Sequence, residues 1–278
     1  LVACHGGGPW RKIEETAQKK FFQIFFGGSS QVVWINGLSD GVGDDHSDPG
    51  VSLLRRQMKL AASAKRTYLR DALQAYLSVF HPKGLGVRKA REFFYGRFPG
   101  FETMVLDSRV TIPYPIQIHI AGFRAIETFR YALDHFDFDY LVRISSTCLV
   151  RPEPLFEFLA SLPRKKVFAG RSSSFGLSTF ASGAALVFSR DVVEGVVANA
   201  RNLAMNVYED VALSFLIRSK RLADFYDLGV SDIRKPSDLP NDIKDWDGVP
   251  IIRCKADPAT LSSQPVIDNM EAVTEFLQ

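Results

Sequence analysis

The chain has 278 residues, room for one large α/β domain or two small ones at about 100–200 residues per domain. It is 46% hydrophobic and 23% charged, enough apolar material for a sizeable core, and 34 Lys and Arg against 31 Asp and Glu leave a net charge of +3. Without a polybasic block this argues against nucleic acid as the main partner and leaves room for a small anionic substrate such as a nucleotide. No apolar run approaches the ~18–20 residues of a membrane span. Leu1, not Met, stands first, which leaves room for a native start, signal or anchor upstream.

The three cysteines, Cys4, Cys148 and Cys254, are too few and too far apart for a disulfide framework or a zinc motif. Cys4 and Cys148 read as small buried hydrophobes. No Asn-x-Ser/Thr sequon occurs, which tilts the reading toward an intracellular or bacterial protein.

In chain order, Leu1–Cys4 is a short apolar run ending in His5-Gly6-Gly7-Gly8-Pro9. Trp10–Lys20 is helical, with Ile13 and Ala17 spaced four apart. Phe21–Phe26 and Gln31–Ile35 read as strands separated by Gly27-Gly28-Ser29-Ser30. Leu38–Gly50 is an acidic, Gly-rich loop, Leu53–Phe80 one or two helices, and Glu102–Leu106 a buried strand. Ile120–His135 is a helix, Tyr140–Ile144 a strand, and Leu155–Leu162 a helix after Pro152 and Pro154. Lys166–Ala169 and Ala184–Phe188 are strands, Asp191–Ala200 and Asn206–Leu222 helices, and Val249–Cys254 a late strand. Strands alternating with helices of ten to fifteen residues predict a mostly parallel sheet covered on both faces, in a single domain.

Ligands of such sheets bind beyond the carboxyl ends of the strands. The triple glycine after Cys4 has neither GxGxxG nor Walker spacing, and reads as a turn before a nucleotide loop. Asp44-Asp45-His46-x-Asp48 lies in a polar loop and reads as solvated. Asp137 and Asp139 flank a turn, where Asp bonds its own backbone. His119 reads as a packed or edge residue, and Ser172-Ser173-Ser174 as a loop whose hydroxyls can meet a sugar or phosphate.

The run from Arg124 to Leu155, RAIETFRYALDHFDFDYLVRISSTCLVRPEPL, resembles the core of the inverting β-1,3-glycosyltransferases, a family that includes β-1,3-galactosyltransferases, β-1,3-N-acetylglucosaminyltransferases and Fringe. Arg124 takes the place of the family's Lys, Arg130-Tyr131 that of its Arg-Trp, and Tyr140-Leu141-Val142-Arg143 that of its aromatic-led strand. Phe180–Asp191, FASGAALVFSRD, resembles the family's Gly-containing strand ending in Ser-x-Asp, and Tyr208–Val211 its Glu-Asp-Val. The resemblance covers roughly residues 102–220. It implies a GT-A-type fold, with 1–150 as the nucleotide-sugar half and 151–278 as the acceptor half.

One departure stands out. Where the family carries a metal-binding Asp-x-Asp, this chain has Ser145-Ser146-Thr147, and Arg253 and Lys255 occupy the region of its late metal-binding His. Hydroxyls are poor ligands for Mg²⁺ or Mn²⁺. Fixed cations can neutralise a leaving diphosphate instead, so no metal is expected. The resemblance then implies transfer, with inversion and in a β-1,3 linkage, from a nucleotide-diphosphate sugar (a UDP-sugar) to a glycan, glycolipid or glycoprotein hydroxyl, as in polysaccharide biosynthesis. Asp210 would be the general base. Glu209 reads either as its partner or as the N3 residue of a capping box begun by Asn206. Arg124, Arg143, Ser145, Ser146, Thr147, Arg253 and Lys255 would face the donor, and Ser182, Gly183 and Ser172 the acceptor. Expected locations are the cytoplasm, peripheral to the membrane in a bacterium, or the Golgi lumen if an anchor lies upstream. The competing reading is a glycosyltransferase-like binding protein without turnover; an unrelated dinucleotide enzyme would need the missing GxGxxG.

Overall fold

The protein is described by a computed structural model over residues 2–5, 11–26, 32–37, 104–106, 109–112, 121–175, 178–203, 208–255 and 263–278. Strand β1 (Val2–His5) leads to helix α1, which runs Arg11–Ile13 as α-helix, Glu14–Gln18 as a π-helical turn and Lys19–Phe26 as α-helix again. Strands β2 (Val32–Gly37), β3 (Met104–Leu106) and β4 (Arg109–Ile112) precede helix α2 (Ala121–His135) and strands β5 (Tyr140–Ser145) and β6 (Cys148–Val150). Helix α3 (Pro152–Ser161), strands β7 (Val167–Phe175) and β8 (Ser178–Ser189), and helices α4 (Arg190–Ala198) and α5 (Glu209–Ser219) follow. Strands β9 (Asp224–Asp227), β10 (Val230–Ile233) and β11 (Ile251–Cys254) and helix α6 (Gln264–Phe276) close the chain.

Eight strands form one sheet in the order β3-β4-β2-β1-β5-β8-β7-β9, and β10-β11-β6 form a second. The central β4, β2, β1 and β5 are parallel, β8 runs antiparallel between β5 and β7, and β9 lies parallel to β7 at the edge. The architecture is the expected α/β one, a sheet covered by helices on both faces. Side-chain alternation along the strands produces it. On one face Leu141, Phe168, Leu186 and Phe188 pack against Ala125, Ile126 and Phe129 of α2, Val192, Val193 and Val196 of α4, and Leu213 and Leu216 of α5. On the other, Val142, Ile144, Val167, Ala169, Ala185 and Val187 pack against Ile13, Ala17 and Phe21 of α1 and Val266, Ile267 and Met270 of α6.

Several local expectations are corrected. Phe21–Phe26 is helix rather than strand. Its aromatic residues favour strands, but Phe21, Phe22 and Phe25 continue the buried stripe of Ile13 and Ala17 while Gln23 and Ile24 face solvent, the 3.6-residue period of a helix. Helix α3 starts three residues early, because Pro152 sits in its first turn, where its missing N–H costs nothing. Helix α5 starts at Glu209 with Tyr208 as N-cap and no side-chain cap, so Glu209 is not the fourth member of an Asn206 capping box. Strands β4, β6, β9 and β10 and helix α6 have no counterpart in the elements read from the sequence. Gly6–Pro9, Gly27–Ser30, the 38–50 loop, the 53–80 helices and His119 lie outside the described residues. Among the described residues no helix is long and apolar enough to cross a membrane.

Candidate active site

Strand β5 carries Arg143 on the face covered by α2 and α5, two residues after Leu141. Burial leaves this guanidinium only partners within the protein. Its Nε lies 2.9 Å from Glu209 Oε1, with the two side chains 9% and 6% exposed. Its Nη1 donates to the Gly183 carbonyl at 2.5 Å. One side chain of the sheet therefore grips both the first residue of α5 and the middle of β8.

Asp210, next on α5, is placed by the same strand. The Gly183 N–H donates to Asp210 Oδ2 at 2.7 Å, and the Val211 N–H to Asp210 Oδ1 at 2.9 Å. Extending the antiparallel register of Ile144 with Ala185 sets Gly183 beyond the end of β5, beside the 145–147 turn. Burial pushes the Asp210 carboxyl above the usual carboxylate range; the Gly183 and Val211 amides and Arg143 pull it down, and Glu209 pushes it further up. The result is a strengthened base held by backbone at a strand end.

Gly183 has to be glycine for this contact. A Cβ there would sit 3.0 Å from Asp210 Oδ2 and 3.3 Å from its Cβ and Cγ. Gly183→Ala is expected to displace the carboxylate, at a stability cost of about 1 kcal/mol, the low end of overpacking. An NMR titration of Asp210 in this variant should move further above the ordinary value, because the Gly183 amide that pulls it down is lost; an unchanged titration would show that the amide contact does not hold it.

Arg124, on α2, joins the pair from the helix side. Its Nε and Nη1 are shut from solvent and have no hydrogen-bond partner, although the residue as a whole is half-buried. Burial lowers its affinity for the proton, Glu209 opposes that and Arg143 adds to it; a guanidinium stays charged regardless. Two cations thus surround one carboxylate at the N-terminus of α5, which adds its own positive dipole end.

The turn after β5 carries hydroxyls. Ser145 Oγ and Thr147 Oγ1 bond each other at 2.8 Å, and the Thr147 N–H points to Ser145 Oγ at 3.3 Å. Ser146 is buried. A carboxylate-poor set of this kind does not fit a hard divalent cation. The turn's clamp was not legible in the sequence: Gln18, wholly buried in the π-helical turn of α1, donates from Nε2 to the carbonyls of Ser145 at 3.0 Å and Cys148 at 2.8 Å. A π-turn inserts one residue into the helical period and has no periodic signal.

Beside the turn, the Cys254 N–H donates to Thr147 O at 2.8 Å, which brings the end of β11 here. Arg253 is half-buried, and its Nε is shut from solvent with no hydrogen-bond partner. Lys255 is neutralised: its Nζ lies 2.7 Å from Asp232 Oδ2, whose other oxygen is 3.1 Å from Arg171 Nη1. Burial pushes the Asp232 carboxyl up, but Lys255 and Arg171 outweigh it and hold it below the usual range. The shift of register between Gly170 and Ser172 is a bulge, the usual device for re-aiming a side chain such as Arg171.

The structure therefore brings together Arg124, Arg143, Glu209, Asp210 and Gly183, with the adjoining Ser182, and sets Ser145–Thr147 against Arg253. Ser172 stands apart: its N–H donates to Asp227 Oδ1 at 3.0 Å on the β9 side of the sheet. Cys148 and Cys254 are buried free thiols, each raised by burial and thus inert.

No protein-family model matches the chain, and no curated protein matches it. Among solved structures it overlaps the glycosyltransferase GlyE of Streptococcus pneumoniae TIGR4 at 12% identity and TM-score 0.39, over 99% of this chain and 63% of GlyE's. It overlaps the inositol-1-phosphate CTP transferase of T. maritima at 8% identity and TM-score 0.43, over 99% of this chain and 96% of that one. It also overlaps an active-site mutant of LgtC at 6% identity and TM-score 0.41, over 100% and 97%.

Proposed function

We propose that the protein transfers a sugar from a nucleotide-diphosphate donor, a UDP-sugar, to a hydroxyl of a glycan or glycoconjugate with inversion, and without a metal ion. A β-1,3 linkage belongs to the same reading, which draws on the ordered match of three sequence blocks. The observation that carries it is the half-buried Asp210 carboxylate, fixed 2.7 Å from the Gly183 amide at the carboxyl end of the parallel strands. There Asp210 takes the proton of the acceptor hydroxyl while that oxygen attacks the anomeric carbon. The bond from that carbon to the diphosphate oxygen breaks, and its electron pair leaves with the diphosphate. Burial makes the carboxylate basic enough for the work.

The hydroxyl turn supplies no metal ligands, so the leaving charge falls to cations. Arg253 takes the larger share because Lys255 is already paired with Asp232. Calorimetric titration of UDP and uridine, first with chelator and then with Mn²⁺, tests this. Arg253→Ala should weaken UDP relative to uridine by about 1.5–3 kcal/mol, and Lys255→Ala by less. A gain of more than tenfold with Mn²⁺, about 1.4 kcal/mol, would overturn the metal-free reading. Failure of every nucleotide sugar to be turned over, with UDP still bound, would turn the proposal into that of a binding protein.

A further inference from the structure

A second cleft opens on the same face as Asp210, between the C-terminal half of α5 and the edge formed by β7, β8 and β9, with a volume of about 720 Å³. It lies apart from the base. Arg218 follows Asp210 by eight residues, which places it about 12 Å further along α5, at positions i, i+4 and i+8 of one stripe with Ser214 between. Ser214 Oγ accepts from the Ala181 N–H at 3.1 Å, and these two residues form the end of the cleft nearer Asp210.

Cations and rings line this cleft. Arg218 Nη2 donates to Thr179 O at 2.6 Å and Thr179 Oγ1 at 2.9 Å, which fixes its guanidinium at the wall. Lys166 and Arg221 complete the set, neither paired with a carboxylate among the described residues, and Asp224 is the one acid on the lining. Phe225 is 47% exposed on the edge strand, with its ring edge-on to Phe168 at 6.0 Å. An exposed phenyl beside unpaired cations suits a ligand with both apolar and anionic parts.

Two of the three cations sit where the backbone would favour glycine. Lys166 has φ 58° and Arg221 φ 52°, the only non-glycine residues at positive φ among the described residues. Arg221 ends α5, where the Leu222 N–H returns to Ile217 O at 3.0 Å, a turn whose left-handed residue is usually glycine. Lys166 is braced by its N–H on the Asp191 carboxylate, at 3.0 and 3.2 Å, and by its carbonyl, which accepts from the Asp224 N–H at 2.8 Å. Long cations are thus kept, against backbone preference, at two points that border one cleft.

We infer that this cleft binds an acidic saccharide: its rings cover the C–H face of a sugar, its hydroxyls meet those of the ligand, and Lys166, Arg218 and Arg221 hold a carboxylate or sulfate on it. Its role as the distal part of the acceptor rests on the reading of Asp210 as the base; binding itself does not. The test is calorimetric titration of trigalacturonate, a sulfated trisaccharide and neutral cellotriose into the intact protein. Either acidic sugar should bind at least tenfold more tightly than the neutral one and weaken with salt; which of the two binds identifies the anion. Arg221→Gly and Arg218→Gln should each lose at least fivefold in that affinity, while Arg221→Gly leaves the Tm unchanged or higher because strain is relieved. Asp210→Asn should bind the acidic sugar like the parent, so loss of transfer with binding intact would count against the catalytic reading alone. Equal affinity for acidic and neutral sugars, unchanged binding in Arg221→Gly, or equally tight binding of single-stranded DNA would overturn the inference.

Discussion

Asp210→Asn is expected to lower sugar transfer by about 10²–10⁴-fold, the usual contribution of a positioned base, while leaving donor affinity unchanged. The amide keeps the size of the side chain and an oxygen for the Gly183 N–H, but cannot accept a proton from the acceptor hydroxyl. Burial also fixes the pH behaviour. The carboxyl is raised in the folded state, so the rising limb of kcat/KM should lie above the ordinary carboxylate value of about 3.9. The same shift has a definite sign for stability. The folded protein holds this proton longer than the unfolded chain, so stability is lost as pH rises from the unfolded value through the raised one, and the loss persists at neutral pH. Removing the charge removes that loss, so the variant should be no less stable than the parent at pH 7. Rates measured over a pH series, with chemical denaturation of both proteins, check all three points. Transfer unaffected by the change would place the base outside this motif.

The largest effect on stability is expected from Arg143→Met. It leaves Glu209, 6% exposed, without its ion-pair partner, and strips the Gly183 carbonyl of a donor. Breaking a buried pair in this way costs about 3–5 kcal/mol. The low end applies because Arg124 remains beside the abandoned carboxylate. A double change, Arg143→Met with Glu209→Met, should recover much of the loss, since two apolar side chains leave no charge stranded. Arg143→Lys should be intermediate: an ammonium keeps the charge but cannot span both partners as a fork does. Urea denaturation of the parent, Arg143→Met, Glu209→Met and the double variant closes the cycle. A cost below about 1 kcal/mol for Arg143→Met would mean that the pair behaves like an exposed one. Glu209→Gln, which would be mild for a helix cap, is expected to destabilise here because it strands Arg143.

The α/β class, helix α2 and the strand at Tyr140 were legible in the residues, because each rests on local periodicity or on a short run of adjacent positions. Ile126, Phe129 and Ala132 fall on one helical face wherever that helix is placed, and they are buried. Periodicity also held the answer at Phe21–Phe26, where aromatic strand propensity masked a helical stripe that only packing against the sheet made decisive. The edge strand β9 has no such signal: none of its four residues is buried, and pairing with β7 defines it.

For the site, sequence by itself determined which chemical groups were available: a carboxylate pair at 209–210, hydroxyls where carboxylates might hold a metal, and arginines at 124, 143 and 253. Tertiary structure alone decided how they are used. Arg143 and Glu209 are 66 residues apart by number, Gly183 lies between them in sequence, and Gln18 reaches the 145–148 turn from another 127 residues away. No local pattern encodes such pairings. They follow from burial, which denies each polar group water and makes it take whatever partner the crossing of sheet and helix brings within 3 Å.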